Sequence, residues 1–222
     1  MVTGRVEETP MHETRLLPQP HDLLWGMSTD RLDAAAPTWA AEVLAAGRPV
    51  VVRRAPARDG WIAVGVRGHG REQRHAAWMP RAAIRRRVQP EQLTGGGERE
   101  GVCAPLRALA LLQPQLDALC RQRGLAWGVT GGAGYQLATG VTVLGEHSDL
   151  DLLLRVPRPL ERRQALALLE RLEQLPCRVD LQLETPAGAV ALRDWASPAA
   201  RVLLKAGSGA RLVGDPWREV AA

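Results

Sequence analysis

Asp149 and Asp151 stand two residues apart in Ser148-Asp149-Leu150-Asp151-Leu152-Leu153-Leu154, a stretch that is polar at its start and apolar beyond, as a strand running into a core should read. In a strand such a pair projects to one face with Cα atoms about 7 Å apart, while Leu150 faces the other way. Convergent carboxylates suit a hard cation, Mg²⁺ or Mn²⁺, singly or as two ions about 3.5–4 Å apart. Without one, like charges about 4 Å apart repel by about 4 kcal/mol at an effective dielectric near 20, so a metal or a proton is needed. By itself the pattern also fits an ordinary polar strand start. Two further features bear on it. Thr130-Gly131-Gly132-Ala133-Gly134 lies between a strand expected over 125–129 and a helix expected to begin in 135–138. Such a turn offers small residues and free backbone N–H groups to phosphate oxygens. Asp180 interrupts an alternating strand over 177–183, where an unpaired carboxylate is costly to bury unless it joins the same charge cluster. His147 is near the pair, but magnesium prefers oxygen ligands, and an exposed loop histidine is the simpler reading.

The elements that must hold these residues follow from periodicity. Residues 161–174 carry Leu166, Leu169 and Leu172 on one helical face, and 189–192 can pair with 177–183 across the turn at 186–188. Leu106, Leu109, Leu112, Leu116 and Leu119 predict a helix that Pro114 should kink or restart and Gly124 should close. Upstream, 39–46 reads as a short helix ending at Gly47, and 50–53 with 61–66 as a hairpin. Residues 82–88 read as a short arginine-bearing helix. The expected fold class is α/β of the α+β type: an extended lead-in (1–20), a β-rich N-terminal domain with a basic patch (21–94), a glycine-rich linker (95–101) and a C-terminal mixed-sheet domain with covering helices (102–222).

Composition narrows the possibilities. The chain has seven Trp, one Tyr and no Phe, so its core must be aliphatic with Trp anchors. Its net charge of +5 comes from arginine, with Lys205 the only lysine. Arg67, Arg71, Arg74, Arg81, Arg85, Arg86 and Arg87 are opposed locally only by Glu72, which reads as a patch for an anionic partner or, on charge alone, as a solvated face. His69 and His75 fall within it. The arginines lack interleaved aromatics and no helix-turn-helix or finger pattern appears, so nucleic acid is not expected. Cys103, Cys120 and Cys177 have no metal-binding spacing. No membrane span or signal-peptide pattern appears, and a soluble cytoplasmic protein is the expectation.

The glycine turn, the aspartate pair and Val179-Asp180-Leu181 together resemble the polymerase-β-like nucleotidyltransferase superfamily. A more extended similarity runs through His21-Asp22-Leu23-Leu24-Trp25, the run from Gly47 to Arg54, Ala126-Trp127-Gly128, Leu203-Leu204-Lys205 and Asp215-Pro216-Trp217. With the turn and the aspartates, these segments resemble the phosphoribosyl-dephospho-CoA transferase family, the holo-acyl-carrier-protein synthases of malonate decarboxylase. The resemblance implies transfer of 2′-(5″-phosphoribosyl)-3′-dephospho-CoA from its triphosphate precursor to a serine of the acyl carrier protein, with release of pyrophosphate. It implies magnesium or manganese at Asp149 and Asp151, and Asp180 either completing the metal site or taking the serine proton. Thr130, Gly131, Gly132, Ser148 and Lys205 are the expected substrate contacts, although the superfamily usually has Ser where this chain has Gly132. Lys205 serves equally as a surface residue of a C-terminal helix, and Arg155 and Arg201 are weaker candidates for its duty. An acidic carrier protein would dock on Arg81, Arg85, Arg86 and Arg87. His21 and Asp22 are read as a helix-start or turn pair. Two competing readings remain: another metal-dependent nucleotidyltransferase, for example one moving AMP from ATP, and a non-catalytic arginine-rich binding module.

Overall fold

A computed structural model describes residues 17–70, 72–95 and 103–218. The expected linker lies largely outside them, as do Arg71 and most of the expected lead-in.

Short β-branched and apolar runs alternating with turn residues build the first half. Strands β1 (Leu23–Trp25), β2 (Val50–Val52), β3 (Trp61–Arg67), β4 (Arg74–Pro80) and β5 (Arg86–Val88) form an antiparallel sheet in the order β4-β3-β2-β1-β5. Helix α1 (Thr38–Ala45) presents Ala40, Val43 and Leu44 to Val50, Val52, Val64, Val66 and Met79, which closes a small core. The anticipated hairpin is β2–β3. The helix expected over 82–88 is instead a 3-10 turn, Arg81–Ala83, followed by β5. Pairing of β5 with β1, Leu23 opposite Val88, satisfies backbone groups that a helix would have left on an open edge.

The second half is a six-stranded sheet in the order β11-β10-β9-β8-β7-β6, built from β6 (Ala126–Val129), β7 (Leu150–Arg155), β8 (Val179–Thr185), β9 (Gly188–Ala191), β10 (Val202–Ala206) and β11 (Gly209–Val213). Only β7 and β8 run parallel, which requires a crossover, and α4 (Arg162–Leu172) supplies it. Helix α2 (Ala104–Arg123) buries Leu106, Leu109, Leu112 and Leu116 against this sheet, and Gly124 caps it in the left-handed region at φ +63°. Helices α3 (Gly131–Thr139) and α5 (Leu192–Ala196) complete the domain. Contrary to expectation, Pro114 does not interrupt α2. It lies on the exposed face, where water can bond the carbonyl its missing N–H leaves open, while the buried leucine stripe holds the helix. Lys205 is on β10, not on a helix.

The halves meet across a third cluster, Leu23, Val88 and Tyr135, flanked by Trp25, Val51 and Val143. A 3-10 turn, Pro90–Leu93, packs against β6. Gly128 permits it: a Cβ there would lie 2.4 Å from the Pro90 carbonyl carbon. Arg54 ties Glu184 and, through Nε, donates to the Lys205 carbonyl at 3.1 Å; Arg155 ties Glu91.

Candidate active site

The expected glycine turn wraps around an aspartate. Thr130 N–H donates to the Asp151 carbonyl at 2.9 Å, which fastens the end of β6 to β7. Gly131 follows with φ +58°, and a Cβ added there would lie 1.9 Å from Asp151 Oδ2. Only glycine meets both demands, the left-handed backbone and the close approach. Helix α3 begins at Gly131, earlier than expected, so the first-turn N–H groups of Gly131, Gly132 and Ala133, which lack intrahelical partners, are beside this carboxylate.

Asp151 and Asp180 are direct partners in the parallel β7–β8 ladder. Asp149 precedes β7 and is half-buried. Burial pushes the Asp151 carboxyl above the ordinary range, with the charges of Asp180 and Asp149 acting in the same direction and those of Arg67 and Arg74 opposing them. Arg178 Nε donates to Asp180 Oδ1 at 2.9 Å, and this bond raises the guanidinium further. A cavity of about 510 Å³ opens over the cluster, walled by Thr130, Gly131, Asp151, Asp180, Gln182, Arg67, Arg74, His21 and Lys205 among others. It therefore draws on both domains.

Of the residues expected from sequence, Thr130, Gly131, Asp151, Asp180 and Lys205 line this cavity. Gly132 is just behind the wall, where a Cβ would be 3.0 Å from Leu144 Cδ2 and 3.3 Å from Arg67 Nη2. The Arg67 guanidinium thus lies within reach of any side chain at this position. Ser148 Oγ accepts from Gly145 N at 2.9 Å and so closes the loop before β7. His147 is exposed, as expected. Arg201 bonds the Leu212 carbonyl.

The basic segment divides by position. Arg67, at the end of β3, is buried with Cζ 5.7 Å from the Tyr135 ring centroid, and Arg74, its cross-strand partner, stands at the cavity rim. These two belong to the cavity. Arg81, Arg85 and Arg86 are exposed, with Arg86 stacked 4.4 Å from the Trp25 ring centroid. Arg87 departs from the expected docking surface: its Nε donates to Asp22 Oδ2 at 2.6 Å, and Asp22 is fully buried. Burial raises the Asp22 carboxyl, while bonds from Gln19 N–H and Arg87 oppose that.

His21 carries more than the turn role read from its sequence position. Among the described residues it is the only non-glycine with positive φ, at 76°. For an L-residue this conformation costs about 1–2 kcal/mol. The surroundings impose it: His21 N–H donates to the Val52 carbonyl at 2.9 Å, Val52 N–H to the Asp22 carbonyl at 2.8 Å, and Asp22 Oδ2 accepts from both Gln19 N–H and Arg87 Nε. The ring lines the cavity, and Gln182 Nε2 donates to its Nε2 at 2.9 Å and also to Glu184 Oε1 at 2.7 Å. Burial lowers the His21 pKa below 6.5; Glu184 acts against this, and Arg54, Arg155 and Lys205 reinforce it.

Among the described residues no three His, Cys, Asp or Glu side chains form a ready-made metal cage. The cluster nonetheless fits a hard divalent cation of the kind that keeps waters and takes one or two carboxylates together with substrate phosphate oxygens. Asp151 and Asp180, with Asp149 beside them, are all-oxygen donors whose mutual repulsion a cation would relieve.

Residues 19–90 match the phosphoribosyl-dephospho-CoA transferase MdcG N-terminal domain, and residues 98–216 the C-terminal domain of the same family. The chain belongs to the phosphoribosyl-dephospho-CoA transferase family. Relatives bearing that name include one from Pseudomonas putida (strain W619), 60% identical over 200 residues that span 90% of this chain and 95% of the relative. Another, from Pseudomonas aeruginosa, is 57% identical over 90% of this chain and 94% of its own length. A third, from Klebsiella pneumoniae, is 45% identical over 90% and 96%. No solved structure matches the chain. As a member of this transferase family the chain is an enzyme, and among the described residues no helix is long and apolar enough to cross a membrane.

Proposed function

We propose that the chain attaches the 2′-(5″-phosphoribosyl)-3′-dephospho-CoA group, taken from its triphosphate precursor, to a serine of the malonate decarboxylase acyl carrier protein and releases pyrophosphate. The observation that carries this reading is the facing pair Asp151–Asp180 under the Gly131 turn, in a cavity that Arg67 and Arg74 also line. A polyanionic chain bound there meets guanidinium groups and carboxylates together, and a cation would offset the aspartates. Asp149, Asp151 and Asp180 are the residues to hold magnesium or manganese, which when bound would screen the triphosphate and stabilise the leaving pyrophosphate.

The protein's own contribution is positioning. The first-turn N–H groups of α3 and the Arg67 guanidinium orient phosphate oxygens, Arg74 and Lys205 add positive charge at the rim, and the serine hydroxyl attacks the phosphorus nearest the ribose. The exposed Arg81, Arg85 and Arg86 are the surface on which an acidic carrier would dock. The test incubates the full chain with apo carrier protein, the triphosphoribosyl precursor and Mg²⁺, and weighs the carrier. Modification by the wild type and loss of it in Asp151→Asn support the reading. An unmodified carrier refutes it.

A further inference from the structure

We propose that His21 is the general base that takes the proton from the attacking serine hydroxyl, which leaves Asp180 to the metal site. The proposal rests on the reaction argued above and names the group that reaction still needs. Asp180 is poorly suited to the task, because its Oδ1 is occupied by Arg178 and the carboxylate pairs in register with Asp151. His21 is better placed. Its ring faces the same cavity and is contacted by Gln182, which follows Asp180 by two residues on β8 and so points to the same face.

Three observations converge on a basic imidazole. First, the backbone at His21 is strained and clamped by β2 and by the buried Asp22, although nothing in the local chain requires a histidine there: Gly or Asn would adopt φ 76° more readily. Strain kept at a cavity wall points to a functional side chain. Second, Nε2 accepts a hydrogen bond from the neutral Gln182 amide, so it carries a lone pair, and the incoming hydroxyl must displace that amide, which keeps Glu184 through its other hydrogen. Third, Glu184 Oε1 lies 3.7 Å from Nε2, close enough to stabilise the imidazolium that forms. About a third of the ring remains accessible, 32% by side-chain surface, which leaves it reachable by a macromolecular nucleophile.

The step balances as follows. As the serine oxygen bonds to the phosphorus nearest the ribose, the bond from that phosphorus to the departing pyrophosphate oxygen breaks, and the hydroxyl proton passes to His21 Nε2. The imidazolium then releases the proton to water. The groups facing the ring are Gln182 and Glu184 from β8, Arg54 from the segment after β2, Arg155 at the end of β7 and Lys205 on β10. Of these, only Glu184 favours the protonated form.

The test uses His21→Asn and His21→Gly in the full chain, since both residues tolerate the left-handed backbone and keep the fold. Carrier modification is followed by mass under saturating precursor and Mg²⁺ from pH 5 to 8.5. Both variants are expected to lose about 10²–10⁴-fold in kcat, with KM for the precursor within about threefold of wild type. The wild-type rate should fall tenfold per pH unit on the acid side, below 6.5, and the variants should lose that limb. A residue that served only the turn would instead give a glycine variant at least as stable as wild type and nearly as active. Retention of kcat within threefold in either variant, or an unchanged acid limb, overturns the proposal. An inactive wild type refutes the proposed function along with it, so the two failures are told apart by the reference reaction.

Discussion

Gly131→Ala tests the contact on which the site is built. Two costs follow from the structure. A Cβ at φ +58° carries the left-handed penalty of about 1–2 kcal/mol. The same Cβ would sit 1.9 Å from Asp151 Oδ2 and 2.5 Å from its Cγ, so the carboxylate must retreat by about 1 Å or more, at an overpacking cost of about 1–3 kcal/mol. Together they predict a loss of about 2–5 kcal/mol. If Asp151 holds the metal as proposed, displacing it by that distance should cost about 10²-fold in rate. Gly140 provides the matched control: it has φ +72°, and a Cβ there meets nothing within 4 Å. Gly140→Ala should therefore lose only the backbone share, about 1–2 kcal/mol, and keep its turnover. Urea denaturation gives the two stabilities, and carrier mass against time gives the two rates. If both variants lose equal stability, or if Gly131→Ala turns over within threefold of wild type, the turn does not hold Asp151 as described.

Three other perturbations probe separate parts of the argument. Because the folded state holds the Asp151 carboxyl above its unfolded value, its contribution to stability is present below pH 3.8 and is lost as pH rises through the folded value; Asp151→Asn should thus raise the metal-free thermal midpoint at pH 7, while Mg²⁺ stabilises only the wild type. Arg87→Ala strands the fully buried Asp22 and should cost about 3 kcal/mol, at the low end for a broken buried pair because Arg87 is itself 21% exposed; urea denaturation reads this directly. Pro114→Ala restores an N–H to an exposed helical position and should add about 1–3 kcal/mol to stability with unchanged activity.

Local pattern carried the carboxylate half of the site into view. Asp149, Asp151 and Asp180 stand out because a charge at or within an apolar strand is conspicuous, and of these Asp151 and Asp180 line the cavity; Gly131 stands out because glycine after a strand marks a turn with special backbone demands. Pattern could not show that Asp151 and Asp180 are ladder partners, since the register of two parallel strands is set by the α4 crossover and the packing beneath it. The arginine half was legible only as charge. Arg67 and Arg74 enter the cavity because β4 returns along β3, and β4, with Arg, His and Pro at its ends, lacks a clear strand signature. Residues 82–88 read as a helix in sequence because three arginines in a row suit a helix surface, whereas the open edge of β1 draws 86–88 into a strand. His21 could have been suspected from the pair His21-Asp22, but its backbone conformation comes from contacts with Val52 and Arg87, distant in sequence. The β10–β11 hairpin was missed because its alternation is short and interrupted by arginine and glycine.

Both halves furnish the cavity with charge: the 23–88 sheet lends Arg67 and Arg74, and the C-terminal half the aspartates together with Arg178, Arg193 and Lys205. Severed from its companion, the C-terminal piece would keep the aspartates but lose the two guanidinium groups that counter the charge on Asp151. Its Asp151 carboxyl should then hold a proton to higher pH, so the charge state of the cluster is set in part by a domain that contributes no carboxylate to it.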